Sequence, residues 1–440
     1  MDHSPTWDLL ILGGTVLPMD GSDPIPNGAV AVQGRHIAAI GTADDLLDSA
    51  PTCELLNASN CLVTPGLVNT HSHLAMVLMR GLADDLPLME WLQEHIWPAE
   101  SEQMNRETVA LGTRLAAAEQ LLAGVTTTAD MYFFGDTVCQ ALVEAGQRGV
   151  IAESLIDAAT PACATPSEMM AKQRQLCEQW RHHPLITPSI AAHAPYSVGD
   201  ANLVAESELA REYEVPLQIH LSETRWEVDS IRERTGVSPV AHLANLGFFQ
   251  AHTVAAHCVH VDEADIALLR DHGVHVAHNP VSNLKLASGI APIPAMLEAG
   301  VSVSIGTDGA ASNNTLDLLR DLQIAALIHK TASGDPTVLP ARTAVEMATA
   351  GGARALGLED RIGILRVGAE ADVVCWDTSA PHMTPLYDPA SHLAFACRGS
   401  DARHVVVAGR TVVRDRDLLT MDLERLRAQV QERAAAISGG

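Results

Sequence analysis

Basic side chains are scarce in this chain of 440 residues: 28 lysines and arginines stand against 54 acidic residues, a formal charge of −26. Such a chain repels a phosphate backbone instead of releasing its counterions, which argues against a nucleic-acid partner. Long apolar runs are missing as well. No stretch of roughly eighteen apolar residues occurs, and Met1-Asp2-His3-Ser4-Pro5 has neither the basic start nor the apolar run of a secretory signal. A cytoplasmic protein with no membrane partner is expected. The eight cysteines (Cys53, Cys61, Cys139, Cys163, Cys177, Cys258, Cys375, Cys397) are scattered without a Cys-x-x-Cys pair. They are expected to be reduced and mostly in the core.

What the chain does have is apolar bulk, 47% hydrophobic residues, enough for a large core and a second, smaller domain. Its two ends echo each other, Val32-Gln-Gly-Arg35-His-Ile37 against Val407-Ala-Gly-Arg410-Thr-Val412, each an alternating pair of strands around a Gly-Arg turn. Short strands such as Leu9-Leu-Ile-Leu12, Val30-Ala-Val32, Ala371-Asp-Val-Val-Cys-Trp376 and Val405-Val-Val407 are too few at either end for a stable sheet alone. One small β-sandwich domain built from both termini, residues 1–62 plus 363–440, is therefore expected, with a closing helix from Asp422 to about Ala435.

Between them, residues 63–362 alternate short apolar runs with helical periodicity. Eight strands are predicted: Leu67–Asn69, Val125–Ala129, Val150–Ala152, Ile186–Ala192, Leu217–Ile219, Thr253–Ala256, Val274–Ala277 and Val301–Ile305. Eight β/α units suggest an α/β fold of the (β/α)8 TIM-barrel type, with functional groups at the C-terminal strand ends. A doubly wound open sheet is the alternative.

Polar residues fall where a barrel would place a site. Strand one runs into His71-Ser-His73, strand four ends at His193, strand five at His220, strand six at His257 and strand eight at Asp308. Two histidines one residue apart on extended backbone point the same way and can share a metal ion, a weak signal alone that gains force from His220 and Asp308. Three histidines and a carboxylate with room for water suit zinc, with iron or manganese as other occupants. Zinc lowers the pKa of water toward neutrality, and the nucleophile so made needs a proton carrier. Glu223, three residues past His220, is placed for that role; its plainer reading is a solvated loop glutamate. His257 suits the attacking oxygen; its plainer reading is a satisfied core histidine.

With these residues in view, Thr64-Pro-Gly-Leu-Val-Asn-Thr-His-Ser-His73, His220-Leu-Ser-Glu223, His257 and Gly306-Thr-Asp-Gly309 resemble the amidohydrolase superfamily over nearly the whole chain. Within it, the chain is most similar to the 5′-methylthioadenosine/S-adenosylhomocysteine deaminase family. That similarity is carried by Arg80-Gly-Leu-Ala-Asp-Asp85, Trp91-Leu92, Trp97-Pro-Ala-Glu100, His193-Ala-Pro-Tyr196, Ser282-Asn-Leu-Lys-Leu-Ala-Ser-Gly289 and Asp308-Gly-Ala-Ala-Ser-Asn-Asn314.

The resemblance implies metal ligands His71, His73, His220 and Asp308, and catalytic roles for Glu223, His257 and Asp308. It places Glu100 on the ribose hydroxyls, Trp91 near the sugar and its substituent, and His193, Glu223 and Asp308 against the reacting purine. Read without the family, Glu100 is a solvated helix residue and Trp91 a core residue. Binuclear relatives carry a carboxylated lysine at the end of strand four; the only lysines here are Lys172, Lys285 and Lys330, so one Zn2+ per chain is implied. Lys285, His278 and Asn279 are expected to brace the barrel mouth. The implied reaction is hydrolytic deamination of a purine nucleoside to the inosine-type product and ammonia, by a homodimer or larger homo-oligomer. Guanine, cytosine or triazine hydrolysis is the alternative within the same scaffold, and a non-enzymatic assembly protein the alternative outside it. Relatives that accept S-adenosylhomocysteine carry an arginine after strand three. Here Asp157-Ala-Ala-Thr-Pro-Ala-Cys-Ala-Thr-Pro166 holds no basic residue, Asp157 would repel the amino-acid carboxylate, and Arg174 is the nearest arginine to borrow.

Overall fold

The computed structural model describes residues 7–47 and 53–438. The N-terminal residues weighed above for a leader lie outside them. Strands β1 (Leu9–Val16), β2 (Ile25–Gln33), β3 (His36–Thr42), β4 (Glu54–Asn57) and β5 (Cys61–Pro65) come first. The barrel follows: β6 (Leu67–Asn69), β7 (Val125–Tyr132), β8 (Arg148–Leu155), β9 (Ile186–Pro188), β10 (Ile190–Ala192), β11 (Leu217–Leu221), β12 (Thr253–His257), β13 (His275–His278) and β14 (Ser302–Ile305). β15 (Val373–Asp377), β16 (Ala402–Val407), β17 (Arg410–Arg414) and β18 (Asp417–Leu418) complete the strands, and a helix, Leu423–Ser438, ends the chain.

The strands from the two ends share one nine-stranded sheet, ordered β18-β17-β16-β15-β5-β1-β2-β3 with β4 beside β1. Its seam is the antiparallel pairing of β15 with β5, from Val373 opposite Pro65 to Asp377 opposite Cys61. The strand period of two sorts the apolar residues: Leu9 and Ile11 join one core cluster and Leu10 the other. The two Gly-Arg turns seen in the sequence close the β2–β3 and β16–β17 hairpins, and they touch. A Cβ on Gly409, whose φ is +79°, would collide with the Gly34 carbonyl, so that position requires glycine both for its backbone and for the close approach.

The barrel is parallel and nearly closed, running β6-β7-β8-β10-β11-β12-β13-β14, with β9 beside β8. It is thus the TIM-type barrel expected from the eight apolar runs. Most strand residues are buried on both faces, as parallel strands covered by helices require. The ends of β6 and β14 meet through Thr70 N–H donating to Ile305 O at 3.1 Å and Asp308 N–H donating to His71 O at 3.0 Å. Asn69 and Thr307 bond reciprocally across the same join. Predicted strand four is split in two at Ser189, after Pro188, which has no amide proton for the ladder. Predicted strands two and three are longer than expected, by three residues at the end of β7 and by two at the start and three at the end of β8.

A buried ion network ties the bottom of the barrel to the terminal sheet. Arg148, at the start of β8, is fully buried and donates to Glu370 at 2.7 Å and to Asp372 at 2.9 and 3.1 Å. Arg35 and Arg361 also reach Glu370. All eight cysteines are free thiols, seven of them buried. No helix among the described residues is long and apolar enough to cross a membrane.

Candidate active site

The C-terminal strand ends bring His71, His73, His193, His220, His257, Glu223 and Asp308 to one mouth. Two of them, and Ser222 between His220 and Glu223, have backbone that an L-residue rarely adopts: φ is +74° at His257, +63° at Asp308 and +50° at Ser222. Left-handed backbone at non-glycine residues costs energy and survives where the surroundings enforce it, often beside functional groups. Gly306 answers a different need. A Cβ there would collide with the Asn279 amide oxygen and stand 2.9 Å from the His71 Cβ.

His73 donates from Nδ1 to the Met131 carbonyl at 2.8 Å, and His220 from Nδ1 to the His193 carbonyl at 2.7 Å. With those protons placed, both Nε2 atoms present lone pairs, and they face each other at 3.2 Å. His71 Nε2 is buried without a hydrogen-bond partner. Asp308 Oδ1 lies 3.5 Å from His71 Nε2 and 3.3 Å from His73 Nε2. Converging lone pairs and a carboxylate, with the His73 and His220 rings oriented from behind by carbonyls, form a donor set that fits a divalent cation. Burial pulls the His71 pKa down to about 4 and lowers those of His73 and His220, so all three rings are neutral, as metal donors must be. The other Asp308 oxygen accepts from Ser282 Oγ at 2.6 Å and Ser312 Oγ at 2.9 Å.

Glu223 and His257 stand beside this cluster, their Oε2 and Nε2 atoms 3.8 Å apart. Burial raises the Glu223 carboxyl above its ordinary pKa, and the Asp308 charge adds to that against the pull of His257. For His257 burial works toward the neutral ring, yet Glu223 and Asp308 outweigh it and leave the pKa raised. His257 Nδ1 donates to Asn283 Oδ1 at 2.8 Å. His193 Nδ1 bonds Ser197 Oγ at 2.7 Å, and the ring lines the pocket.

That pocket has these groups as its polar end and an apolar wall that includes Trp91, Leu92, Ile96, Trp97, Phe133 and Ile156. An apolar cleft with a few convergent polar groups suits a small-molecule ligand. Trp91 opens a six-residue π-helical segment, Trp91–Ile96, that leads into the helix Trp97–Gln103 carrying Glu100. π-helical turns recur at functional sites. Glu100 is not solvated. It is buried in the pocket wall, accepts from the Tyr132 hydroxyl at 2.6 Å, and burial pushes its carboxyl up to about 7.

A model described as the amidohydrolase family matches residues 62–412. The chain belongs to the amidohydrolase family. A second model, the imidazolonepropionase-like composite domain of bacteria, matches residues 28–52. A 5-methylthioadenosine/S-adenosylhomocysteine deaminase of Syntrophobacter fumaroxidans is 48% identical over 434 residues, which cover 98% of each chain. A 5′-deoxyadenosine deaminase of Methanosarcina mazei is 41% identical, across 97% of this chain and 98% of its own. Among solved structures, an adenosine deaminase from Xanthomonas campestris with bound zinc superposes with a TM-score of 0.97 at 39% identity, covering 99% of this chain and 100% of that one.

In this amidohydrolase the residues singled out in the sequence, from Trp91 and Glu100 to Asp308, lie in or beside one cavity. Lys285 does brace the mouth, donating to Asp84 at 2.6 Å and to the Ala311 carbonyl at 3.1 Å. His278 and Asn279 are buried, His278 against His329 at 3.1 Å and Asn279 facing His257 Nδ1 at 3.5 Å. Neither Asp157 nor Arg174 lines the pocket. Asp157 accepts from Gly199 N–H and the Asn202 amide, holding the start of the helix Asp200–Tyr213. Arg174 is spent on Glu212 through two bonds on the outer helices. The sequence reading missed Tyr132, Asn283, Ser282, Ser312 and Glu227. Asn283 and Ser282 sat in a motif already singled out, and Tyr132 would have emerged as a polar strand end had β7 been drawn three residues further.

Proposed function

We propose that this chain is a zinc-dependent deaminase that converts 5′-methylthioadenosine and adenosine, and S-adenosylhomocysteine less well, to inosine-type nucleosides with release of ammonia. The chain is a hydrolase acting on carbon–nitrogen bonds in cyclic amidines, and the aminated ring of adenine is such an amidine. The observation that carries the nucleoside reading is the pairing of two buried carboxylates in one pocket, Glu223 beside the histidine cluster and Glu100 under the aromatic wall. A heterocycle without a sugar offers no hydroxyl to the Glu100 oxygen that Tyr132 leaves free.

His71, His73, His220 and Asp308 would hold one zinc ion, with iron or manganese able to use the same donors. Bound there, the ion supplies a water-derived nucleophile at neutral pH. Glu223, its carboxyl raised by burial, gives a proton to the ring nitrogen beside the reacting carbon and relays another to the departing amine. His257, fixed by Asn283, and Asp308, fixed by Ser282 and Ser312, stabilise and deprotonate the attacking oxygen. His193 meets the purine ring. Glu100 accepts from the vicinal ribose hydroxyls, and Trp91 with its apolar neighbours takes the 5′ group. We also propose that residues 1–62 with 363–440 form one module and residues 63–362 the catalytic one, with β5 carrying the terminal sheet past that boundary to Pro65.

Ammonia release measured across adenosine, 5′-methylthioadenosine, S-adenosylhomocysteine, guanine and cytosine tests this function. Turnover of the nucleosides is expected; turnover confined to the free bases overturns the proposal.

A further inference from the structure

The turn that carries Glu223 is held from below by a second glutamate. Glu227 sits in the first turn of the helix Arg225–Thr235 and is 1% exposed. Its Oε1 accepts from the Ser222 N–H at 2.8 Å and its Oε2 from the Glu223 N–H at 2.9 Å. Thr224 caps the helix, accepting from the Glu227 N–H at 3.2 Å. A Thr-x-x-Glu start of this kind ordinarily forms a reciprocal box, in which the glutamate returns to the N–H of the capping residue. Here the carboxylate passes Thr224 and takes the two amides before it. Those amides flank Ser222, whose φ of +50° is left-handed. The Ser222 carbonyl, in turn, accepts from Val259 N–H at 3.1 Å and His260 N–H at 2.9 Å, in the loop that leaves His257.

One buried carboxylate thus fixes the backbone of Glu223 and, through Ser222, the anchor of the loop that leaves His257. Glu227 does not line the pocket and is not among the clustered metal-type donors. An ordinary helix-capping role would leave the Ser222 and Glu223 amides to other partners, whereas each oxygen of Glu227 is used on one of them.

We propose that Glu227 is a positioning residue for the reaction, clamping the Ser222 and Glu223 amides so that the Glu223 carboxylate stands against His257. The proposal rests on the reading of Glu223 as proton carrier. A misplacement of about an ångström at a catalytic group costs on the order of a hundredfold in rate. A glutamine at position 227 keeps one acceptor but turns an amide donor toward the other N–H.

The test is a double-mutant cycle on the metal-loaded, full-length enzyme with adenosine as substrate, using Glu227→Gln, Glu223→Gln and both together. Glu227→Gln is expected to lower kcat about tenfold or more with KM changed less than about threefold, at unchanged metal content and with a thermal midpoint lowered by only a few degrees. In the Glu223→Gln background the same change is expected to cost nearly nothing, because the group being positioned no longer carries the proton. Glu227→Ala is expected to lose more than Glu227→Gln; should it fail to fold, the glutamine cycle stands alone. Equal loss from Glu227→Gln in both backgrounds, or kcat within about twofold of wild type, overturns the positioning role. If Glu223→Gln itself retains more than roughly a tenth of the rate, the proposal falls with the proton-carrier reading, and the cycle shows which of the two failed.

Discussion

Tyr132 donates its hydroxyl to Glu100 Oε1 at 2.6 Å, joining the end of β7 to the helix under the aromatic wall. That bond holds one oxygen of the carboxylate that we assign to the ribose. Glu100→Ala is expected to lower kcat/KM on adenosine about ten- to a hundredfold, the worth of a charge-assisted hydrogen bond, with little effect on adenine. Tyr132→Phe should move the same selectivity in the same direction by less. Equal losses on nucleoside and base from Glu100→Ala would remove the ribose assignment.

The same carboxylate sets a pH dependence. Burial pushes Glu100 up to about 7, and only its ionised form accepts from two hydroxyls without donating. KM for adenosine should therefore fall as pH rises through about 7, and that limb should vanish in Glu100→Gln. A KM profile identical in the two proteins would show that Glu100 does not titrate in the binding range.

Much of the site was legible in the sequence because its chemistry is written in residue types at strand ends. His71-Ser-His73, His220 and Asp308 follow apolar runs, and parallel strands deliver such residues to one mouth. The groups that orient them were not legible. Met131 and His193 act on the histidines through backbone carbonyls, which any residue supplies, and Ser282, Asn283 and Ser312, on the short helices Pro280–Lys285 and Ala310–Asn313, are small polar residues of motifs already singled out whose partners, Asp308 and His257, only the fold supplies. The terminal sheet was foreseen from its echoing turns, but Arg148 was not, because nothing near it in sequence marks Glu370 and Asp372 as its partners.

Arg148 offers a stability test remote from the pocket. Removing one partner of a buried ion group leaves the others charged and unpaired, so Arg148→Met is expected to destabilise the fold by about 3–5 kcal/mol. Burial alone would raise the Glu370 carboxyl, but Arg148, Arg361 and Arg35 hold it down at about 2. A depressed acid contributes stability that is complete above its unfolded pKa and is lost as pH falls toward the folded one. Denaturant midpoints of the wild type should accordingly decline from about pH 4.5 toward 2, and Arg148→Met should flatten that decline. An unchanged slope would mean that Glu370 is held by the half-buried Arg35 and Arg361 alone.

Metal dependence follows from the lone pairs that converge between His73 and His220. Dialysis against a chelator is expected to abolish turnover and zinc to restore it, at one equivalent per chain. With no lysine at the end of β10, where His193 stands, a second ion lacks its bridging ligand. Two equivalents in fully active protein would refute the mononuclear site.

The 5′ substituent is where pocket chemistry makes the sharpest discrimination. Among the described residues, none of those lining the pocket is lysine or arginine, and the wall near Trp91 is apolar. A methylthio group gains from burial there, whereas the zwitterionic tail of S-adenosylhomocysteine must lose hydration without a partner for its carboxylate. Asp157 lies outside the pocket lining, where it accepts from Gly199 and Asn202, so the expected penalty comes chiefly from missing attraction and desolvation. Arg174 cannot compensate without giving up Glu212. We expect kcat/KM to be clearly higher for 5′-methylthioadenosine and adenosine than for S-adenosylhomocysteine, with the difference residing mainly in KM, since the tail lies away from the reacting carbon. An arginine introduced in the neutral loop, as in Ala162→Arg, should narrow the gap if the tail runs toward that loop. Comparable efficiencies in the wild type would show that the carboxylate finds a cation outside this pocket wall.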